Sequence, residues 1–373
     1  MRITFVVSEL RYSGGVRVVA EYANRMAERG HVVSLITSSS PQPDPHLHIG
    51  SAVRVFAVPI GLDRSGVLRN LCLASGLIRL APQSDVVIAT HTPTVPIVLV
   101  ASRLLNRGRA VWLCQDYPEM FAGRPLQRWL YDHSSPLFDM VLCVSANGAA
   151  ELPGSRGADS SKVIVVGEGL SDAEILLPGD PARRCRHELL YVGDSRPRKG
   201  LMDLLAALAL VRETEPHASL AVASREDLRP KLEAESPVPF RFYHWPDRRA
   251  LAALYARCAV FVSASWAEGF GLPPLEAMAC GAPVVVTDSR GVREFARHEV
   301  NCLVVPPRDP AALATAILRL LMDRPLADRL GAAGVETSAR YDWKSAADRF
   351  EEALRALVAT SAGPAGVRGG GPS

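Results

Sequence analysis

Short apolar runs alternate with helix-length segments along the whole chain. Thirteen of these runs are continuous and rich in Val, Ile and Leu, which is typical of strands buried on both faces. In the first half they are Ile3–Ser8, Val32–Thr37, Val53–Val58, Val86–Thr90, Ala110–Gln115, Met140–Ser145 and Lys162–Val166. In the second half they are Leu189–Asp194, Ser219–Ser224, Phe240–Trp245, Ala259–Ala264, Pro283–Asp288 and Leu303–Val305. Helical patterns between them include Val16–Arg29, Leu201–Arg212 and Pro310–Met322. This alternation predicts doubly wound, parallel sheets in an α/β protein.

A chain of 373 residues is long for a single core, so two domains are expected. The alternation is weakest over residues 167–188, where Gly, Pro and charged residues dominate. A boundary there gives two Rossmann-like domains, residues 1–170 and 171–342. The helical pattern 343–358 is expected to join the first domain. Residues 361–373 contain too little to bury, and we expect them to be disordered.

Composition narrows the class of protein. The chain is 48% apolar and 22% charged with a net charge of +3, which suits a soluble globular protein and does not indicate a nucleic-acid binder. Seven scattered cysteines, without metal-ligand spacing, are expected to be reduced thiols in a cytoplasmic protein. No apolar stretch reaches the ~20 residues of a membrane span. The segment Arg64–Ala81 is compatible with peripheral contact at the inner membrane face, although a buried helix is favoured.

Ligands of open α/β domains bind outside the carboxyl ends of the strands, so the loops there are expected to line a cleft between the domains. Gly14 and Gly15 follow the first strand and open a helix, where the backbone can approach a phosphate. A tight turn without a ligand is the alternative. In the second half, Arg196, Arg198 and Lys199 crowd one turn before a helix. These cations repel each other and the positive end of the helix dipole, so a diphosphate is the expected ligand. A solvated surface loop is the alternative.

The stretch "EGFGLPPLEAMACGAPVVV" contains two glutamates in otherwise apolar surroundings. Glu268 is expected in the loop after a strand, and Glu276 in or near the first turn of the next helix, which begins at Pro273 or Pro274. Carboxylates only accept hydrogen bonds, so a pair of them beside exposed backbone N–H groups suits a ligand rich in hydroxyls. For Glu276 alone, complementing the helix N-terminus is the alternative.

This stretch resembles the Glu–seven residues–Glu signature of the retaining glycosyltransferases of family 4, which have the two-domain GT-B architecture. The segments "LLYVGDSRPRKG", "LVVPPRDPAALATAI" and "SGGVRVVAEYANRMAERGH" are similar to other blocks of that family. The resemblance spans the chain. It implies transfer of a sugar from a UDP-, GDP- or dTDP-linked donor to an acceptor hydroxyl, in glycan or natural-product biosynthesis. The acceptor is expected to be a small molecule or a lipid-linked glycan.

The resemblance also implies roles for individual residues. Glu276 would hold the ribose hydroxyls and Glu268 the hydroxyls of the donor sugar, while Lys199 would bind the diphosphate. The remaining donor-binding positions are backbone groups around two turns: Gly14, Gly15, Gly269, Phe270, Gly271 and Leu272.

The chain departs from the family pattern at two places. Asp194 stands where the family usually has Arg, so Arg196 is expected to supply the second positive charge. Gln115 and Asp116 stand where the family often has His. Together with His91 they are the acceptor-side candidates, and Asp116 is expected to orient the acceptor.

The sequence contains no Asp-x-Asp motif, so we expect no metal or other cofactor, and the basic turn would stabilise the leaving diphosphate instead. In the mechanism accepted for the family, the acceptor proton passes to that diphosphate and no protein base is needed. A nucleotide-sugar epimerase, a phosphorylase and a catalytically silent sugar-nucleotide-binding subunit remain alternatives. A glycoside hydrolase is disfavoured because a hydrolytic pair needs no cationic turn.

Overall fold

The computed structural model describes residues 1–38, 44, 46–58, 75–76, 79–152 and 162–360. It divides into two compact units, Met1–Gly167 together with the chain from Lys344 onward, and Glu168–Trp343. Most of the segment Arg64–Ala81 and all of residues 361–373 lie outside the described residues. Within the described ranges, no helix is long and apolar enough to cross a bilayer.

The first unit contains a seven-stranded parallel sheet with the order β3-β2-β1-β4-β5-β6-β7. Its strands are β1 (Arg2–Val7), β2 (Val32–Thr37), β3 (Arg54–Ala57), β4 (Val86–Ala89), β5 (Arg109–Cys114), β6 (Met140–Cys143) and β7 (Val163–Val165). The strand order reverses between β1 and β4, so the ligand crevice of this sheet is expected beyond their carboxyl ends.

The second unit contains a six-stranded parallel sheet with the order β10-β9-β8-β11-β12-β13. Its strands are β8 (Glu188–Val192), β9 (Ser219–Ser224), β10 (Phe240–His244), β11 (Val260–Ser263), β12 (Val284–Thr287) and β13 (Leu303–Val305). Here the order reverses between β8 and β11. Alternate residues of β8 enter different cores, Leu189 and Tyr191 on one face of the sheet and Leu190 on the other.

Eleven α-helices are present in the described residues. Those of the first sheet's unit are α1 (Gly14–Glu28), α2 (Val95–Arg103), α3 (Pro125–His133), α4 (Ala146–Glu151) and the last helix of the chain, α11 (Trp343–Ala359). Those around the second sheet are α5 (Leu201–Thr214), α6 (Arg229–Glu235), α7 (Arg248–Arg257), α8 (Leu272–Ala279), α9 (Pro310–Met322) and α10 (Arg324–Ser338).

The predicted fold class is confirmed. Each of the thirteen predicted strands has a counterpart that differs by at most two residues at either end, and both sheets are parallel throughout. The predicted helix Pro310–Met322 has the observed bounds. The Asp309 side chain accepts a hydrogen bond from the Ala312 N–H, and Pro310 occupies the first helical position, so this helix start is specified locally.

The helix α11 packs onto the first sheet's unit. The ring of Phe350 stacks on Tyr22, with 4.3 Å between the ring centroids, and lies 6.1 Å from Phe5. Beside this apolar contact, Glu351 accepts a hydrogen bond from Arg29 at 2.7 Å and lies 3.0 Å from His31 Nε2. The aromatic contact and the ion pair together anchor the end of the described chain.

Candidate functional site

The turn after β8 is pressed against the end of β11. Residues Pro197–Lys199 form one 3₁₀ turn, and Gly200 then adopts a left-handed conformation with φ of 68°. A Cβ at Gly200 would overlap the carbonyl group of Ala264, so only glycine allows this approach. The carbonyl of Arg198 also accepts a hydrogen bond from the Trp266 N–H at 2.7 Å. These contacts bring the basic turn to the loop that carries Glu268.

Glu268 and the basic turn form a compact charged cluster. Lys199 Nζ lies 2.6 Å from Glu268 Oε1, and Arg198 donates to Oε2 at 3.4 Å and to the Ala267 carbonyl at 2.9 Å. The hydroxyl of Ser265 donates to Oε1 at 2.7 Å. Only 14% of the side-chain surface of Lys199 and of Glu268 is exposed, so this cluster is screened little by solvent. Sequence reasoning placed Lys199 and Glu268 in one site but did not include Ser265 or assign Arg198.

Glu268 is ionised in this environment. Burial acts to raise the pKa of its carboxyl group, but the neighbouring charges of Lys199 and Arg198 and the hydrogen bonds from Lys199 and Ser265 hold it below the usual value. The cluster therefore presents one anionic acceptor and two cations at the carboxyl end of the sheet.

The loop from Glu268 to the start of α8 is fixed by the segment that follows β12. The Glu268 N–H donates to the Ser289 carbonyl at 2.9 Å, and the Glu268 carbonyl accepts from the Gly291 N–H at 3.2 Å. A Cβ at Gly291 would lie 2.6 Å from that carbonyl oxygen. Gly271 caps α8 with a φ of 101°, a conformation that L side chains rarely adopt. Local backbone geometry thus favours glycine at both positions.

The loop places Gly269, Phe270, Gly271 and Leu272 at the N-terminus of α8. This helix begins at Leu272, before the predicted start at Pro273 or Pro274, and both prolines lie in its first turn. The ring of Phe270 is buried against Phe295 and Tyr341, so its contribution to a ligand site is limited to the backbone. The first N–H groups of a helix lack intrahelical acceptors and favour anions.

Glu276 is the fifth residue of α8 and is only 3% exposed. Its Oε1 accepts from Arg248 at 2.8 Å, and its Oε2 accepts from the Tyr255 hydroxyl at 3.0 Å. The Glu276 carboxylate thus accepts hydrogen bonds from two residues of α7. Sequence reasoning missed Arg248 and Tyr255, since neither belongs to a motif.

Arg196 is engaged elsewhere. Its Nε and NH2 atoms donate to the two carboxylate oxygens of Asp194 at 2.8 and 2.5 Å, and about half of its side chain is exposed. The hydrogen bond with Asp194 raises the pKa of the Arg196 guanidinium, while for the carboxyl group of Asp194 this partner outweighs burial and lowers the pKa. In the structure the second cation in contact with Glu268 is Arg198, while Arg196 is paired with Asp194. That Arg196 supplies the second positive charge to a diphosphate stays a prediction.

The acceptor-side candidates converge in the first sheet's unit, beyond the ends of β1, β4 and β5. A Cβ at Gly15 would lie 3.0 Å from His91 Nε2 and 3.3 Å from Gln115 Oε1, whereas Gly14 faces open space. Gln115 Nε2 donates to the Thr90 carbonyl at 3.2 Å. Asp116 accepts from the N–H and hydroxyl of Thr92 at 3.1 and 2.7 Å, which ties the β5 loop to the β4 loop.

Burial lowers the pKa of His91 below its ordinary value, and the nearby charge of Asp116 offsets this only in part. The imidazole is therefore neutral near pH 7. Its Nδ1 lies 3.0 Å from the Thr90 hydroxyl, which leaves Nε2 on the side of Gly15. Among the residues that the structure describes, no three His, Cys, Asp or Glu side chains are grouped so as to hold a metal ion.

Two Rossmann-like units, each built on a parallel sheet, have the GT-B fold. Residues 12–174 match the family model "Glycosyltransferase Family 4", and residues 186–323 match "Glycosyl transferases group 1". The chain belongs to glycosyltransferase family 4 and is a transferase that uses a nucleotide-sugar donor. The family predicted from the sequence is confirmed.

Similar proteins cover nearly the whole chain. D-inositol 3-phosphate glycosyltransferase of Thermobifida fusca (strain YX) is 28% identical over 400 residues, covering 92% of this chain and 88% of the relative. Among solved structures, sucrose-phosphate synthase from Thermosynechococcus elongatus superposes with a TM-score of 0.81 at 20% identity, covering 96% of this chain and all of that one. The structure of Anabaena HepE in complex with UDP and glucose superposes with a TM-score of 0.76 at 19% identity, covering 95% of this chain and all of that one.

Proposed function

We propose that the protein transfers a sugar from a nucleoside diphosphate sugar to an acceptor hydroxyl, with retention of the anomeric configuration and without a metal ion. The observation that carries this proposal is the cluster of Lys199, Arg198 and Glu268 beside the start of α8. Two cations and a helix N-terminus suit a diphosphate, and the adjacent carboxylate suits sugar hydroxyls. Asp-x-Asp, a motif that would bridge a metal to the phosphates, does not occur in the sequence.

The chemistry follows from where charge develops. Breaking the bond between the anomeric carbon and the phosphate oxygen leaves an oxocarbenium-like sugar and adds negative charge to the diphosphate. Lys199 and Arg198 would stabilise that charge. The acceptor oxygen then bonds to the anomeric carbon on the face from which the diphosphate departs, and its proton passes to the diphosphate. Asp116 would orient the acceptor, with His91 and Gln115 nearby.

The donor is proposed to be UDP-, GDP- or dTDP-linked. Anabaena HepE has been solved with UDP-glucose, which supports a uridine donor as the first candidate. The relatives named D-inositol 3-phosphate glycosyltransferase make a small polar alcohol one candidate acceptor, and a lipid-linked glycan or natural product is another. Glu276 is assigned to the ribose, Glu268 to the donor sugar, and Gly14 and Gly15 to phosphate contact at the start of α1.

The test is donor turnover measured with and without an acceptor. Purified protein is incubated with each nucleotide sugar and a panel of alcohols, and the released nucleoside diphosphate and the product anomer are followed by chromatography and NMR. We expect acceptor-dependent release, the donor's anomeric configuration in the product, and no loss of activity with EDTA. Conversion of the donor in the absence of acceptor would indicate an epimerase, and inverted product or EDTA sensitivity would refute the corresponding part of the proposal.

A further inference from the structure

Two residues of helix α7 donate hydrogen bonds to the carboxylate of Glu276. Arg248 is its first residue and Tyr255 lies seven positions later, which is two turns along the same helical face. The Arg248 guanidinium reaches Glu276 Oε1 at 2.8 Å, and the Tyr255 hydroxyl reaches Oε2 at 3.0 Å. Each oxygen of the carboxylate thus has a separate donor, and both donors come from one rigid element.

Arg248 also bridges Glu276 to a second carboxylate. Its Nε donates to Asp172 Oδ2 at 2.8 Å, while NH2 is used for Glu276. Asp172 lies in a left-handed conformation with φ of 58°, where its carbonyl accepts from the N–H groups of Ile175 and Leu176. The planar guanidinium is therefore held at two of its nitrogens, which fixes its plane as well as its position.

The burial of Glu276 makes this support necessary. The residue is 3% exposed within an apolar core, and an ionised carboxylate in such a place is strongly disfavoured without a paired and hydrogen-bonded partner. Tyr255 is fully buried, and burial together with the charge of Glu276 raises the pKa of its phenol, so it remains a hydrogen-bond donor. Arg248 is the cation in contact with Glu276, and about a quarter of its side chain is exposed.

We infer that Arg248 is a positioning residue for nucleotide binding. It acts through Glu276, holding that carboxylate in the orientation in which it accepts hydrogen bonds from the ribose hydroxyls. This inference rests on the proposed role of Glu276. The consequence is specificity for ribose. A correctly oriented carboxylate accepts a hydrogen bond from the 2′-hydroxyl, so a ribonucleoside diphosphate binds more tightly than its 2′-deoxy counterpart. The natural donor is then a UDP- or GDP-linked sugar and not a dTDP-linked one.

The experiment compares UDP and GDP with their 2′-deoxy forms by isothermal titration calorimetry on the full chain. The variants are Arg248→Gln and Arg248→Lys, with Arg257→Gln as the matched control. Arg257 is the last residue of the same helix and pairs with the buried Glu188 at 2.8 Å, away from Glu276. Donor KM, kcat and the midpoint of thermal unfolding are measured for each variant.

We expect wild type to prefer the ribose form of the diphosphate that it binds. Arg248→Gln should weaken that binding by about tenfold and reduce the preference, raising donor KM more than it lowers kcat. Arg248→Lys should recover part of the affinity, because a lysine restores the charge but not the two-pronged geometry. Arg257→Gln should leave affinity and preference unchanged even if it lowers the unfolding midpoint.

The outcomes separate this inference from the proposed function. If wild type binds neither UDP nor GDP, the proposed donor site fails and the inference fails with it. If a diphosphate binds but without preference for the ribose form, or if Arg248→Gln keeps the preference, Arg248 has no positioning role although donor binding stands. An equal loss in Arg257→Gln would show that the effect comes from destabilising α7 and would also overturn the inference.

Discussion

Lys199 Nζ lies 2.6 Å from Glu268 Oε1, although 69 residues separate the two in the chain. The contact exists because β8 and β11 are neighbours at the point where the sheet order reverses, so the loops after them meet at one edge. The ion pair fixes the position of the Lys199 ammonium group and helps to keep the pKa of the Glu268 carboxyl group below its usual value. If a diphosphate binds at this edge, as proposed, the Lys199 ammonium group is already in position.

Replacement of this cation should affect chemistry more than folding. We expect Lys199→Ala to lower kcat by about 100-fold, the usual effect of removing one donor that stabilises developing charge. Glu268 would lose its nearest cation, so donor KM should also rise. Steady-state kinetics with a varied donor measure both quantities, and circular dichroism checks the fold. A kcat within about threefold of wild type would remove Lys199 from the leaving-group role.

Substitution of the two arginines in the same turn, Arg196 and Arg198, should change kcat/KM by different amounts. Arg198→Gln is expected to lower kcat/KM by about tenfold or more, because Arg198 contacts the Glu268 carboxylate and the Ala267 carbonyl. Arg196→Gln should change it by less than about threefold, because its guanidinium is bound to Asp194 and half exposed. The comparison is internally matched, since both are Arg→Gln changes within three residues. An Arg196 effect equal to or larger than that of Arg198 would mean that Arg196 leaves Asp194 to bind the substrate.

Gly200 should not tolerate a side chain. Gly200→Ala introduces both a left-handed strain of about 1–2 kcal/mol and an overlap with the Ala264 carbonyl, so the loss in unfolding free energy should exceed the strain alone. Gly30→Ala is the control, because Gly30 has a φ of 82° but open space around it. Chemical denaturation of both variants gives the difference. Equal losses would show that the turn after β8 moves away from β11 without cost.

Glu351 makes the docking of α11 sensitive to pH. Burial acts to raise the pKa of its carboxyl group, but hydrogen bonds from Arg29, Arg355 and His31 lower it to about 2. A carboxyl group with a lowered folded-state pKa stabilises the protein above its unfolded value of about 4.3, and this contribution is lost as the pH falls toward 2. Glu351→Gln should therefore cost about 1–2 kcal/mol at pH 7 and roughly half as much at pH 3.

The neighbouring, exposed Glu352 provides the control for that prediction. Glu352→Gln should leave the unfolding free energy within about 0.5 kcal/mol of wild type at both pH values. Urea unfolding followed at pH 7 and pH 3 tests both variants. A Glu351→Gln penalty that is the same at both values would show that packing, and not the carboxylate charge, anchors α11.

Much of the architecture was predictable because it depends on local patterns. Short runs rich in Val and Ile, such as Val32–Thr37, favour buried strands over helices, and the spacing between them leaves room for one helix each. The turn glycines were also readable, since Gly271 occupies a backbone conformation that other residues avoid. Glu268 and Lys199 could be placed in one site because both follow strands whose carboxyl ends form a common edge.

The sequence by itself thus determined the two parallel sheets and the edge at which the charged residues lie. Only the tertiary structure decided which charges meet. Asp194 captures Arg196 and leaves Arg198 to Glu268, while Arg248 and Tyr255 reach Glu276 from a separate helix. Strand and helix formation follow from periodicity within a few residues, but a side-chain contact between distant segments depends on strand order and on competition among nearby partners. Neither of these is encoded in the spacing of any one motif.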